Sequence, residues 1–131
     1  VNLFVAKFLG TPPINMFSGR VSDGRLFIGG DNVLKLKGVP DQEVYVGVRP
    51  EGFTLDPSGA FCCALGALEV MGRDISVVGN HAASLNPTVR AIISAENRTQ
   101  ISTASVRFSL KPYKVLIFGT ADEKRIAFEV D

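Results

Sequence analysis

Phe17-Ser18-Gly19-Arg20-Val21-Ser22-Asp23-Gly24-Arg25-Leu26-Phe27-Ile28, continued by Gly29-Gly30-Asp31-Asn32-Val33-Leu34-Lys35-Leu36-Lys37, decides the fold class. Residues 17–22 read as a strand. Asp23-Gly24 is a strong signal for a two-residue hairpin turn, because such turns need central residues that tolerate positive φ. Residues 25–28 are then the partner strand, and 29–32 make the next turn. In residues 33–37, Leu34 and Leu36 face inward against Lys35 and Lys37.

The same punctuation runs outward along the chain, with short apolar stretches between turn residues, as in an all-β domain. Residues 39–42 break the chain, and Val44, Val46 and Val48 then share one face at period two. Pro50 interrupts, since proline cannot donate to a ladder. Residues 53–55 resume before the turn at 56–59. Residues 60–71 are long for one strand, and Gly66 within them predicts a bulge or sharp bend. Gly72-Arg73-Asp74 reads as a turn with Gly72 at a positive-φ position, and 75–78 as a strand. Residues 79–87 read as an irregular loop with a helical turn at 82–85, and 88–95 as a strand. In 105–110, Val106, Phe108 and Leu110 point inward. Residues 114–118 and 126–130 are expected to pair across the polar 119–125 connection. Short, twisted antiparallel strands with glycine bends point to small barrels.

Ahead of the strands, Phe4, Val5, Phe8 and Leu9 form an apolar stripe at helical spacing that stops at Gly10 and a Pro12-Pro13 elbow. A helix that short needs a surface to pack on, so the chain reads as beginning in the middle of something larger. Residues 1–16 are taken as linker and helix, and 17–131 as the β-barrel domain.

With 131 residues the chain suits one domain or two small β-units sharing a core. No apolar run approaches the ~20 residues of a bilayer crossing, and Lys7 inside the first apolar stretch argues against a signal peptide. A net charge of +1 with mixed signs leaves no electrostatic footprint for nucleic acid. The basic groove interleaved with stacking aromatics that strand binding requires is also missing. Cys62 and Cys63 are adjacent and would face opposite sides of a strand, so a disulfide framework is not expected and a reducing cytoplasm is.

Catalytic chemistry finds little support. No lysine follows a glycine, which excludes a phosphate-binding loop ending in Gly-Lys. His81 is the sole histidine and reads as a solvent-facing loop residue. Neither the cysteines nor any carboxylate pair supplies metal-ligand spacing around it. Cys62 and Cys63 read as core fillers rather than nucleophiles. No catalytic, cofactor-binding or metal residues are assigned, and the chain is not expected to be an enzyme by itself.

Four stretches resemble one known family. Asn2-Leu3-Phe4-Val5-Ala6-Lys7-Phe8-Leu9-Gly10-Thr11-Pro12-Pro13-Ile14-Asn15 resembles the junction that precedes the carboxy-terminal regulatory domain in ATPase subunits of ABC-type sugar importers, the maltose and glycerol-phosphate kind. Val48-Arg49-Pro50-Glu51 is similar to that domain's Ile-Arg-Pro-Glu motif. Leu68-Glu69-Val70-Met71-Gly72-Arg73-Asp74 is similar to its Val-Glu-x-Leu-Gly-x-Glu turn. Val115 to Phe118 with Arg125-Ile126 resembles its closing hairpin. The order is the family's, and nearly the whole chain is covered. Gly52 stands where the family commonly has His, and Gly119 where an Asp usually follows the Phe.

The resemblance implies a transport-associated, oligonucleotide-binding-like (OB-like) barrel that follows an ATPase domain. Its motif residues here are Arg49, Pro50, Glu51, Glu69, Gly72 and Asp74. The motif at Arg49 also has a plain structural reading, a chain turn with Arg49 and Glu51 in a local ion pair. The family further implies a homodimer, contact with membrane permease subunits through the ATPase domain, and a regulatory protein partner. It implies a place at the cytoplasmic face of the membrane, with ATP and Mg confined to the ATPase domain. A different class, a module sensing oxyanions or other small solutes, is the alternative.

Overall fold

A computed structural model describes residues 14–94 and 105–130. The apolar stripe at residues 3–9, and with it the expected helix, lies outside the described residues. Within them the chain is built from short antiparallel strands in two sheets. The strands are β1 (Asn15–Ser22), β2 (Arg25–Ile28), β3 (Asp31–Lys37), β4 (Gln42–Val48), β5 (Phe53–Leu55), β6 (Phe61–Met71), β7 (Asp74–Asn80), β8 (Val89–Ser94), β9 (Ser105–Leu110), β10 (Val115–Gly119) and β11 (Glu129–Val130). The first sheet has the order β10-β4-β1-β2-β3-β11 and the second β5-β9-β6-β7-β8.

The opening hairpin forms where the sequence puts it. Asp23 and Gly24 adopt φ of 53° and 72°, the positive pair that matches the twist of flanking strands, and Ser22 pairs with Arg25. β1 begins at Asn15, earlier than the expected Phe17, and β3 absorbs Asp31 and Asn32 from the expected turn. Val44, Val46 and Val48 are buried together, as are Val106, Phe108 and Leu110. The β6–β7 register shifts between Leu65 and Ala67, which places the bulge at Gly66. Cys63 is buried and Cys62 half-buried; both are free thiols.

Phe17, Phe53, Phe61 and Phe108 fill the space between the sheets, each at most 2% exposed. Phe61 packs edge-on to Phe17 at 5.3 Å between centroids and tilted against Phe53 at 5.5 Å, and Phe53 meets Phe108 at 5.2 Å. Since β1 and the two sheets share this one cluster, neither sheet buries its apolar face without the other.

Two connections close the body. β2 accompanies β1 only over residues 19–22, which leaves the other half of that edge open. Residues 83–86 occupy it: Ser18 N–H donates to the Ala83 carbonyl at 2.9 Å and Leu85 N–H to the Met16 carbonyl at 2.8 Å. The Asn86 side chain accepts from Met16 N–H at 2.8 Å and donates to the Ile14 carbonyl at 3.2 Å. What reads as a loop with a helical turn at 82–85 is instead a turn and a bridged segment, with Ser84 opposite Phe17. It also covers a small apolar cluster of Ile14, Met16 and Phe118 on the outer face of the first sheet.

Residues 124–130 form the second closure. The expected pairing of residues 114–118 with 126–130 is not what forms. β10 pairs with β4, and β11 pairs with β3 through Glu129 opposite Lys37 and Val130 opposite Leu36. From the hairpin there remain a bridge between Phe118 and Arg125 and three backbone bonds beside it: Ile126 N–H to the Ile117 carbonyl at 2.8 Å, Gly119 N–H to the Lys124 carbonyl at 3.0 Å and Glu123 N–H to the Gly119 carbonyl at 2.9 Å. The strap leaves β10 and ends on β3, at the two edges of the six-stranded sheet, and so rolls it toward a barrel. The physical reason is that closing the sheet satisfies two edges, where a hairpin would satisfy one.

Candidate functional site

The first motif stretch is a corner. Pro50 removes a donor and fixes φ, so β4 ends at Val48 and the chain turns through a 3-10 turn, Pro50–Gly52, with Arg49 extended ahead of it. A second proline-led 3-10 turn, Pro112–Lys114, packs against the first. Arg49 N–H donates to the Lys114 carbonyl at 3.3 Å, and Lys111 N–H to the Gly52 carbonyl at 2.8 Å. Lys111 Nζ donates to the Glu51 carbonyl at 3.0 Å. The Glu51 carboxylate faces Lys114 Nζ at 3.5 Å rather than Arg49. The expected Arg49–Glu51 pair is therefore replaced, because the turn directs Glu51 toward the neighbouring turn. Gly52 is buried, and a Cβ there would lie 2.8 Å from Lys114 Cβ, which explains why a glycine stands at this position.

The second stretch is the far end of the β6–β7 hairpin. Gly72 has φ of 67°, the positive value expected of it, and Met71 pairs with Asp74 around the turn. Glu69 reaches Arg90 of β8 at 3.5 Å between half-exposed side chains, an ion pair worth at most about 1 kcal/mol. The 3-10 turn after Arg49 also packs against β8. The two motif stretches thus flank one strand. Arg49 and Glu51 lie on one side, while Glu69, Gly72 and Asp74 belong to the hairpin on the other. Leu68, Val70 and Met71 along this arm are 37%, 62% and 48% exposed.

His81 departs most from its sequence reading. Its side chain is only 8% exposed, stacked on Phe61 at 4.7 Å and 7° between planes, and edge-on to Phe17. Nε2 lies 2.9 Å from Asp31 Oδ2, and Ala83 N–H donates to Nδ1 at 3.0 Å. A backbone N–H can only donate, so Nδ1 accepts and Nε2–H donates to Asp31. The same Oδ2 accepts from Cys62 N–H at 3.2 Å. Asp31 on β3 and His81 after β7 therefore tie one sheet to the other. Both ring nitrogens are engaged, which leaves none to take a proton from a nucleophile. Burial first, then the neighbouring Cys62 and Asp31 charges, push the Cys63 thiol up to about 12, so it is not an activated nucleophile either. Among the described residues no group of three or more His, Cys, Asp or Glu is placed to hold a metal ion. The sequence carried no signal for this pair, since residues 50 apart share no spacing rule.

Beside the Pro112–Lys114 turn, where the strap diverges from the start of β10, lies a cavity of about 810 Å³. Tyr113, Val115, Ile126, Phe128 and Val130 give it an apolar lining, and Arg125 and Glu129 one charge of each sign. Tyr113 is 77% exposed there, and Lys114 Nζ lies 5.9 Å from its ring centroid. No helix among the described residues is long and apolar enough to cross a membrane.

Residues 10–53 match the family model described as the MalK OB fold domain. The chain is 29% identical to the sn-glycerol-3-phosphate import ATP-binding protein UgpC of Jannaschia sp. (strain CCS1), over 94% of this chain and 34% of the relative. It is 31% identical to the putative ABC transporter ATP-binding protein MG187 homolog of Mycoplasma pneumoniae, over 95% of this chain and 21% of the relative. A shorter alignment, 38% of this chain and 16% of the relative, is 39% identical to the oligosaccharides import ATP-binding protein MsmX of Bacillus subtilis. The chain therefore spans about a third or less of the length of these curated relatives.

Proposed function

We propose that this chain, an OB-type carboxy-terminal domain of the family of ABC sugar-importer ATP-binding subunits, serves such a subunit as its regulatory and dimerising part and hydrolyses no ATP itself. In this reading ATP and Mg are handled by an ATPase domain upstream, and contact with membrane permease subunits runs through that domain at the cytoplasmic face. Two barrels hold each other about a two-fold axis and raise the effective concentration of one ATPase domain for the other. The outer surface of the barrel is also where a regulatory protein docks.

The observation that carries this reading is the disposition of the two motif stretches. Both are spent on fixing surface features of a closed barrel, a clamped corner and a hairpin arm flanking β8, rather than on converging upon a reacting atom. The imidazole is likewise committed to the fold, and the Cys63 thiol is buried in the core.

Titrating the chain with ATP and Mg should give phosphate release no faster than buffer. Saturable, Mg-dependent turnover would overturn the reading. The cavity beside Tyr113 favours one second reading, a small-solute sensor. A thermal-shift screen with sugars, sugar phosphates, molybdate, tungstate and sulfate separates the two. A ligand at ~100 times its Kd stabilises by about 2.7 kcal/mol, which is readily seen, and the regulatory reading expects no shift.

A further inference from the structure

The segment that covers the open half of β1 is held at its two ends by groups of different kinds. At the far end the Asn86 amide, which does not titrate, accepts from Met16 N–H and donates to the Ile14 carbonyl. At the near end Ala83 N–H donates to His81 Nδ1 at 3.0 Å, and the Ala83 carbonyl accepts from Ser18 N–H at 2.9 Å. That hold lasts only while Nδ1 keeps its lone pair. Imidazole is the side chain whose charge changes between about pH 5 and 8, and a proton on Nδ1 sets two donors against each other. The other nitrogen responds in the opposite sense. Nε2–H already donates to Asp31 Oδ2 at 2.9 Å, and a positive ring strengthens that bond. Stacking on Phe61 and the edge contact with Phe17 hold the ring in place on its remaining sides.

We propose that His81 is a proton-operated latch: a proton taken at Nδ1 frees residues 82–84 from β1, while the ring stays on Asp31 and Asn86 keeps its own hold. The groups around the ring support this division. β3 brings Asp31, and β6 brings Cys62, whose N–H shares the same Oδ2, and the buried Cys63. Phe17 of β1 and Gly29 between β2 and β3 bring no charge. A Cβ on Gly29 would lie 3.3 Å from both His81 Cε1 and Ala83 Cβ, so that glycine lets ring and segment sit close. Asp31 therefore draws the positive ring toward Nε2, away from Ala83. The released N–H also has water within reach. Ala82 is exposed, and a hollow of about 310 Å³ lined by Ser18, Gly19, Arg20, Gly29 and Glu43 opens beside the same join. Arg20 and Glu43 stand opposite each other on β1 and β4 and add no net charge to it.

The test is an NMR titration of the unaltered chain, isotope-labelled in the histidine ring, from about pH 8 to about pH 5. His81 is the sole histidine, so every ring signal is its own. At the alkaline end the proton should sit on Nε2 alone. As the ring takes its second proton, the Ser18 and Ala83 amide signals should shift with the same midpoint. Their protection from hydrogen exchange, measured against the unstructured-peptide rate at each pH, should fall about tenfold or more. The Met16 amide on Asn86 and the Cys62 amide on Asp31 should keep theirs. His81→Asn, which retains an acceptor near Nδ1 and does not titrate, should hold the Ser18 and Ala83 amides at one level throughout. If that variant does not fold, the titration of the unaltered chain decides alone. A ring already protonated at Nδ1 at the alkaline end, or still neutral at the acid end, overturns the latch. So does a ring that takes its proton while Ser18 and Ala83 stay protected. A loss that reaches Met16 and Cys62 at the same midpoint also overturns it, because the whole body would then be opening.

Discussion

His81 and Asp31 connect the two sheets through one carboxylate oxygen that also receives Cys62 N–H. Replacing Asp31 with Ala orphans both donors inside a largely buried site, and leaving a buried donor unsatisfied costs about 1–3 kcal/mol each. Asp31→Ala should therefore lower stability by about 2–4 kcal/mol in urea melts, and Asp31→Asn, which keeps an acceptor, by clearly less. Equal losses for the two would contradict this account. Cys63 makes a separate prediction in pH. Its folded value near 12 stands above the ordinary 9.0, chiefly because burial disfavours the thiolate. The unfolded chain therefore releases that proton first, so stability is intact below pH 9 and falls as pH rises from 9 toward 12. Urea melts of Cys63→Ala between those pH values should show a shallower fall than the unaltered chain.

The elements that close the barrel depend on asparagines. Asn15 is 4% exposed; its Nδ2 donates to the Val48 and Arg90 carbonyls, and its Oδ1 accepts from Arg90 N–H. It joins β8 to β1, where no strand ladder does. Asn86 serves the neighbouring stretch of that edge through Met16 N–H and the Ile14 carbonyl. Asn15→Ala should cost about 2–4 kcal/mol and Asn86→Ala about 1–2, from the number and burial of the backbone groups left unpaired. Hydrogen exchange at Met16 and Arg90 amides should rise in the matching variant, and unchanged protection would refute the closure. At the corner, Gly52→Ala forces a Cβ against Lys114 Cβ, 2.8 Å away, and should destabilise by about 1–3 kcal/mol, the range for overpacking.

At the scale of the whole molecule, the shared aromatic cluster makes the two sheets one cooperative unit. Phe17 comes from the first sheet, Phe61 and Phe108 from the second, and Phe53 from β5 after the corner. Unfolding should follow a single transition, with fluorescence and circular dichroism superimposing. Phe61→Ala should remove about 3–5 kcal/mol from that one transition. Two separated transitions would mean that the sheets stand independently. The strap at 124–130 is the weak end of this unit, held by few bonds and mostly exposed, and its amides should exchange ahead of β1 and β4.

The strands, the Asp23-Gly24 turn, the bulge at Gly66 and the positive φ at Gly72 were legible because each is dictated by residues within a few positions of one another. The resemblance of Arg49-Pro50-Glu51 and Glu69 to Asp74 to motif stretches was legible for the same reason, as was the absence of a phosphate-binding loop. Local sterics and side-chain alternation do not need the rest of the chain. Tertiary structure alone decided that β11 pairs with β3 and not with β10, that Glu51 turns to Lys114, and that His81 is buried against Phe61 with Asp31 as its partner. Each of those joins residues dozens of positions apart, where the outcome depends on which edges and polar groups remain unsatisfied after the strands have packed.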